Sequence, residues 1–154
     1  MKIVKATLND FERLQALFLT FSEGLADIAP DYYATAYQDF SLFTGIVEHK
    51  SADILIAEAN GEPVGALTVW ECERPLSPHV KPKRALRLSY FTAKSEEVRR
   101  ALLRAAESEA CERGIRTLQI SLHGNDTEAQ NLYTGIGFSP ETILFSKEID
   151  NDWA

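Results

Sequence analysis

The chain has 154 residues, 45% of them hydrophobic and 25% charged, and a formal net charge of -7. That length suits one domain with its own core, and the negative charge opposes the attraction on which nucleic-acid binding rests. Two cysteines, Cys72 and Cys111, are too few for a disulfide framework. Three scattered histidines show no metal-ligand spacing, and residues 1–5 carry no long apolar run. The expectation is a cytoplasmic protein without a signal peptide, membrane span or metal.

Residues 2–6 form a short strand candidate, after which Thr7 or Asn9 can cap a helix. Phe11, Leu14, Leu17, Phe18 and Phe21 recur at helical spacing, and Gly24 marks the expected end. Residues 31–49 read as a second amphipathic helix carrying Tyr33, Ala36, Tyr37, Phe40, Phe43 and Val47, an aromatic stripe that is core or the lining of a cleft. Residues 53–59 and 63–70 are strands joined at Asn60-Gly61, a strong hairpin signal. Pro75, Pro78 and Pro82 make residues 73–83 a loop, and residues 85–92 resume a strand pattern.

Ser95 then caps a long helix with an apolar face of Val98, Ala101, Leu102, Ala105, Ala106 and Ala110, and Gly114 stands where a left-handed C-cap is expected. A strand over residues 117–122 follows, then a short helix capped by Asn125 or Asp126 and running through Tyr133, and a last strand over residues 142–149. This order predicts one mixed α/β sheet with helices on its faces.

The segment Asn125-Asp126-Thr127-Glu128-Ala129-Gln130-Asn131-Leu132-Tyr133-Thr134-Gly135-Ile136-Gly137-Phe138 resembles the C-terminal motif of GNAT N-acetyltransferases, Asn-x-x-Ala-x-x-Leu-Tyr-x-x-x-Gly-Phe, with Asn125 one residue out of register and Asp126 in it. The hairpin ending in Pro63-Val64-Gly65, and Arg100-Ala101-Leu102-Leu103 ahead of Gly114, are similar to the family too. The resemblance implies one GNAT domain over residues 1–154 and transfer of an acetyl group from acetyl-CoA to the primary amine of a small molecule or peptide. The net charge and the lack of a long apolar run argue against a nucleic-acid or membrane partner, and the resemblance allows a homodimer.

The resemblance also nominates residues. Tyr133 is the implied acid for the leaving thiolate. Glu71 is the candidate base at the end of the return strand, with Glu73 beside it and His79 as a weaker choice in the proline loop. Tyr90, Phe91, Thr92, Lys94, Val98, Arg99, Arg100, Asn125 and Asn131 are the implied cofactor-binding set.

The chain departs from the family at the pyrophosphate loop. Where Arg/Gln-x-x-Gly-x-Gly/Ala is expected, it reads Lys94-Ser95-Glu96-Glu97-Val98-Arg99. Glycines there let backbone N–H groups approach a diphosphate at a helix N-terminus. Glu96 and Glu97 instead favour the helix dipole from within. Two hypotheses follow: an active acyltransferase with a divergent phosphate loop, and a catalytically inactive GNAT-fold binding or interaction module that has lost normal CoA binding.

Overall fold

Residues 1–34, 39–74 and 78–150 are described by the computed structural model. They fall into two compact units, Met1–His123 and Gly124–Ala154.

The first unit is built on a five-stranded sheet in the order β1-β2-β3-β4-β5: β1 (Lys2–Lys5), β2 (Ala52–Ala59), β3 (Glu62–Arg74), β4 (Lys83–Ala93) and β5 (Leu118–Ile120). The first four strands are antiparallel and β5 runs parallel to β4. Asn60 and Gly61 turn β2 into β3 with φ of 55° and 78°. Positive φ at both central residues is what a tight hairpin requires, and Asn-Gly supplies it at low cost.

Two helices, α1 (Phe11–Ile28) and α2 (Phe40–Val47), cover one face of the sheet. Leu14, Leu17, Phe18, Phe43 and Ile46 pack there on Ala52, Ile54, Ile56 and Ala66. The other face carries α3 (Glu96–Glu112), which lies on β2, β3 and β4 through Val98, Leu102, Leu103, Ala106 and Ala110. With helices on both faces, β2 reads as a near-continuous apolar run rather than an alternating one. Gly65 permits the close approach of α3: a Cβ there would lie 2.6 Å from Val98 Cγ1, 3.0 Å from Leu102 Cδ1 and 3.0 Å from the Thr92 carbonyl oxygen.

Several expectations change. A 3-10 turn, Leu8–Asp10, precedes α1, and Asp10 takes the N-cap position while its carboxylate accepts from Thr7 N–H at 2.7 Å. The helix runs through Gly24 to Ile28, because packing on the sheet outweighs the cost of one interior glycine, about 1 kcal/mol. The second helix begins only at Phe40, where Asp39 caps it by accepting from Leu42 N–H at 2.7 Å, and residues 31–32 form a turn. Residues 35–38, which include Ala36 and Tyr37 of the aromatic stripe, lie outside the described residues, as do residues 75–77 of the proline loop. β3 extends through Glu73 to Arg74, pairing Glu73 with Arg84, so the loop starts later than its prolines suggest.

The second unit contains α4 (Thr127–Gly135). Asp126, rather than Asn125, is its N-cap and accepts from Ala129 N–H at 3.0 Å. Residues 142–149, expected as a last strand, carry no regular secondary structure. Their side chains stand in solvent, with Ile143, Leu144, Phe145 and Ile149 exposed by 73%, 87%, 88% and 75%.

Candidate functional site

The site is built where β4 stops behaving as a regular strand. Ala66 pairs with Thr92, but Thr68 pairs with Ser89, so Leu67 alone faces Tyr90 and Phe91. Tyr90 takes up the extra residue with φ of 48°. Such a bulge bends the strand and takes local N–H and C=O groups out of the ladder. A tyrosine in the left-handed region is strained, and strain of this kind collects at functional positions. Tyr90 is held there by ring contacts with Phe18 at 6.4 Å and Phe21 at 5.7 Å, both on α1.

At the same place β4 loses its other neighbour. β5 pairs only with Leu86, Arg87 and Leu88, while β4 runs on to Ala93. The backbone from Ser89 to Ala93 therefore has no β5 partner. Two hydroxyls lie at this junction without a hydrogen-bond partner, Thr68 Oγ1 and Ser89 Oγ, and Thr68 is fully buried. Buried polar groups are normally satisfied, so an unpaired pair beside a bulge marks a place where polar ligand atoms or water belong.

The other end of the site is the start of α3. Lys94 N–H bonds to the Val64 carbonyl at 2.9 Å, which fixes the chain as it leaves β4. Ser95 caps the helix by accepting from Val98 N–H at 3.2 Å. Val98 has thus committed its N–H to the cap, and its side chain is buried near Gly65. Glu96 is drawn back along the helix, 3.5 Å from both Arg99 and Arg100. The Arg99 guanidinium lies 5.7 Å from the centre of the Phe91 ring. Its Nε is buried and makes no hydrogen bond, the contact to Glu96 being a charge contact alone. An open depression of about 410 Å³ follows the outer side of these turns, lined by Met1, Glu96, Glu97, Arg100, Ala101 and Arg104.

The nominated residues thus separate into groups. Phe91, Thr92, Lys94, Arg99 and Arg100 gather around the β4–α3 junction. Tyr90 is at the bulge, but its ring packs on α1, away from the Arg99 side of the sheet. Asn125, Asn131 and Tyr133 belong to the second unit, where both asparagines are exposed. Tyr133 is buried there and meets Phe138 edge-on, with ring centres 5.4 Å apart. Thr68 and Ser89 escaped sequence reasoning. Their only signal is chemical, a pair of hydroxyls in otherwise apolar strands.

Glu71 sits in a different setting from the open strand end expected of it. It faces the C-terminal end of α3, where Arg113 Nη1 donates to it at 3.3 Å and Arg84 lies 3.7 Å away. Arg113 also donates to Asp53 and, through Nε at 3.1 Å, to Glu109. Lys5 closes the network at 3.0 Å from Glu109 and 3.4 Å from Asp53. Burial by itself would raise the Glu109 pKa, but the hydrogen bonds from Lys5 and Arg113 outweigh it and hold that pKa below the ordinary carboxylate value. The network ties β1, β2, β3 and β4 to the end of α3. Glu71 lies three residues along β3 from Thr68, roughly 10 Å of strand.

Among the described residues no group of His, Cys, Asp and Glu is arranged to hold a metal ion. None of their helices is long and apolar enough to cross a membrane.

Residues 14–138 match the acetyltransferase (GNAT) family. No curated protein matches the chain. Among solved structures, a mutant of the BH1408 protein from Bacillus halodurans is similar over 97% of this chain and 99% of its own, at 15% identity and a TM-score of 0.87. A predicted acetyltransferase with acetyl-CoA from Clostridium acetobutylicum is similar over 96% of this chain and 95% of its own, at 16% identity and a TM-score of 0.69. An aminoglycoside acetyltransferase from an uncultured soil metagenomic sample is similar over 97% and 98%, at 17% identity and a TM-score of 0.70.

Proposed function

The chain belongs to the GNAT acetyltransferase family, and from that premise we propose that it is an N-acetyltransferase acting on a primary amine with acetyl-CoA as co-substrate. The observation that carries this reading is the bulge at Tyr90, where β4 parts from β5 beside two unpaired hydroxyls. Acyl transfer needs fixed donors where negative charge develops on the carbonyl oxygen, and backbone freed from a ladder provides them.

The start of α3 tests whether the co-substrate's phosphates fit. Arg99 Nε–H makes no hydrogen bond, and four cations, Lys94, Arg99, Arg100 and Arg104, stand with two carboxylates, Glu96 and Glu97. Glu96 is already drawn toward Arg99 and Arg100. The local balance is positive, so the residues fit a diphosphate even without a glycine loop. Lys94, Arg99 and Arg100 would hold it. The co-substrate supplies an acetyl group activated as a thioester.

During transfer an N–C bond forms as a C–S bond breaks, and the acceptor amine loses a proton while the thiolate gains one. We assign the proton to the thiolate to Tyr133. Glu71 would have to leave Arg113 before it could take a proton, so the geometry supports proton removal through water at Thr68 and Ser89 better than through Glu71. The acidic chain suits a cationic amine as acceptor. The free thiols of Cys72 and Cys111 fit a reducing cytoplasm.

A second reading, a binding module without catalysis, is favoured by one observation: Ser95 caps α3 and two glutamates fill its first turn, so that terminus is satisfied from within. Thiol release from acetyl-CoA in the presence of a panel of primary amines separates the two. The enzyme reading expects amine-dependent release that falls when Arg99 is changed to Met. Neither acetyl-CoA binding nor thiol release with any amine would favour the module.

A further inference from the structure

Beside the unpaired hydroxyls of Thr68 and Ser89 stands a cation without a counter-ion. Arg13, Arg84, Arg99, Arg100 and Arg113 each lie against a carboxylate. Among the described residues Arg87 has no such partner: its guanidinium donates once, through Nη2, to the neutral Gln119 Oε1 at 3.4 Å. Cys72 Sγ lies 3.6 Å from the same oxygen, which ties Gln119 to β3 as well as to β4.

Strand register puts Arg87 on a definite face. Ala52, Ile54 and Ile56 of β2 pack under α1 and α2, and their partners on β3 are Trp70, Thr68 and Ala66. On β4, Trp70 is paired with Arg87 and Thr68 with Ser89, and Arg87 is paired in turn with Gln119 on β5. Cross-strand partners share a face, so these five residues lie together on the side opposite α3. All belong to the first unit. Ser89 and Arg87 are two residues apart in β4, about 6.5 Å along one face. Thr68 is fully buried, Ser89 half-buried and Arg87 exposed, so the row runs from covered to open.

An acceptor whose amine reaches the hydroxyls meets a guanidinium one step further along the strand. We infer that the acceptor is an amino carboxylate, with its carboxylate held by Arg87 and its amine at Thr68 and Ser89. This rests on the acyltransferase reading above and adds a second charge to the acceptor. A guanidinium fork offers a carboxylate two parallel N–H donors. Arg87 is the single charged residue of the five, so it balances a monoanion, whereas a phosphate monoester would bring further negative charge to a chain already at -7. The half-buried Trp70 adds an apolar flank for the carbon skeleton. The carboxylate is unchanged by the transfer. The ammonium gives one proton to solvent to become the amine. The amine loses a second as the N–C bond forms and the C–S bond breaks, and the thiolate takes one up.

The test measures thiol release from acetyl-CoA with amino acids and with their carboxamides, such as alanine against alaninamide and phenylalanine against phenylalaninamide. Each amide keeps the size and the amine but not the negative charge. In at least one pair the amino acid should be the better acceptor in kcat/KM, by on the order of ten- to a hundredfold. Arg87→Gln should remove that preference with the circular dichroism of the wild type, and Arg87→Lys should keep part of it, since an ammonium offers charge without the fork. Amides as good as acids in every pair, or a preference that survives Arg87→Gln, would overturn the inference and leave the acyltransferase reading intact. Phosphoethanolamine outrunning every amino acid would overturn it too, by assigning Arg87 to phosphate. Release with no amine at all would overturn the acyltransferase reading instead. Ligand-observed NMR with the same amino acids then decides the role of Arg87: binding lost in Arg87→Gln supports the carboxylate site, and no binding to the wild type overturns it.

Discussion

Replacing Arg113 with Met tests how the sheet is locked to α3. The guanidinium is the shared donor to Asp53, Glu71 and Glu109. Its side chain is 13% exposed, and that of Glu109 is 10% exposed. Removing one partner of a well-buried pair costs about 3–5 kcal/mol, because the other charge is left stranded. Here Lys5 stays beside Glu109 and Asp53, and Arg84 stays near Glu71, so the expected loss is at the low end, about 3 kcal/mol. At about 2–4 °C per kcal/mol for a chain of this size, Tm should fall by about 6–12 °C at neutral pH. The pH dependence gives a second readout. The folded-state pKa of Glu109 lies below its usual value, so its contribution is present above the unfolded pKa and is lost as pH falls through the folded one. Arg113 supplies part of that lowering. The gap in Tm between wild type and variant should therefore narrow as the buffer is taken from pH 6 into the acid range below pH 4. Calorimetric unfolding across that series checks both points. A Tm change of about a degree at neutral pH, or a gap that does not respond to acid, would refute the reasoning.

Three further predictions concern the site and its frame. Gly65→Ala forces a Cβ into Val98, Leu102 and the Thr92 carbonyl, and should destabilise by about 1–3 kcal/mol in urea unfolding, part of which Val98→Ala restores. Glu96→Gln with Glu97→Gln should weaken the fold by about 0.3–1 kcal/mol per residue. The same pair should tighten acetyl-CoA binding by roughly threefold to tenfold at low salt, and unaltered affinity would move the phosphates away from α3. Tyr133→Phe should leave acetyl-CoA affinity unchanged and lower kcat by about 10²-fold or more, whereas full turnover in the variant would remove Tyr133 from the reaction.

Local features were the legible ones. Asn60-Gly61, Ser95 and Gly114 each announce a backbone geometry within a few residues, and the structure places a hairpin turn, an N-cap and a positive φ of 70° at those points. The Leu132-Tyr133 to Gly137-Phe138 motif made the family legible. What stayed hidden depends on partners far along the chain. Nothing near Tyr90 predicts a left-handed residue, because the bulge follows from register between β3 and β4 and from ring packing on α1. The Arg113 network joins residues 42 and 60 positions apart, at Glu71 and Asp53. This is why Glu71 read as a free strand-end carboxylate. Gly24 misled for a related reason, since helix propensity is a local preference that sheet packing overrides. Residues 142–149 have the pattern of a strand, but a pattern does not name the edge a strand will join.

The central claim is that the β4 bulge and the start of α3 together form an acyl-donor site. Calorimetric titration of the whole chain with acetyl-CoA, alongside S-acetylpantetheine, a fragment that lacks the diphosphate, tests it most directly. The account predicts saturable heat with acetyl-CoA, weaker binding of fragments without the diphosphate, and a marked loss of affinity in Arg99→Met. No heat and no thermal shift with acetyl-CoA at millimolar concentration would contradict it.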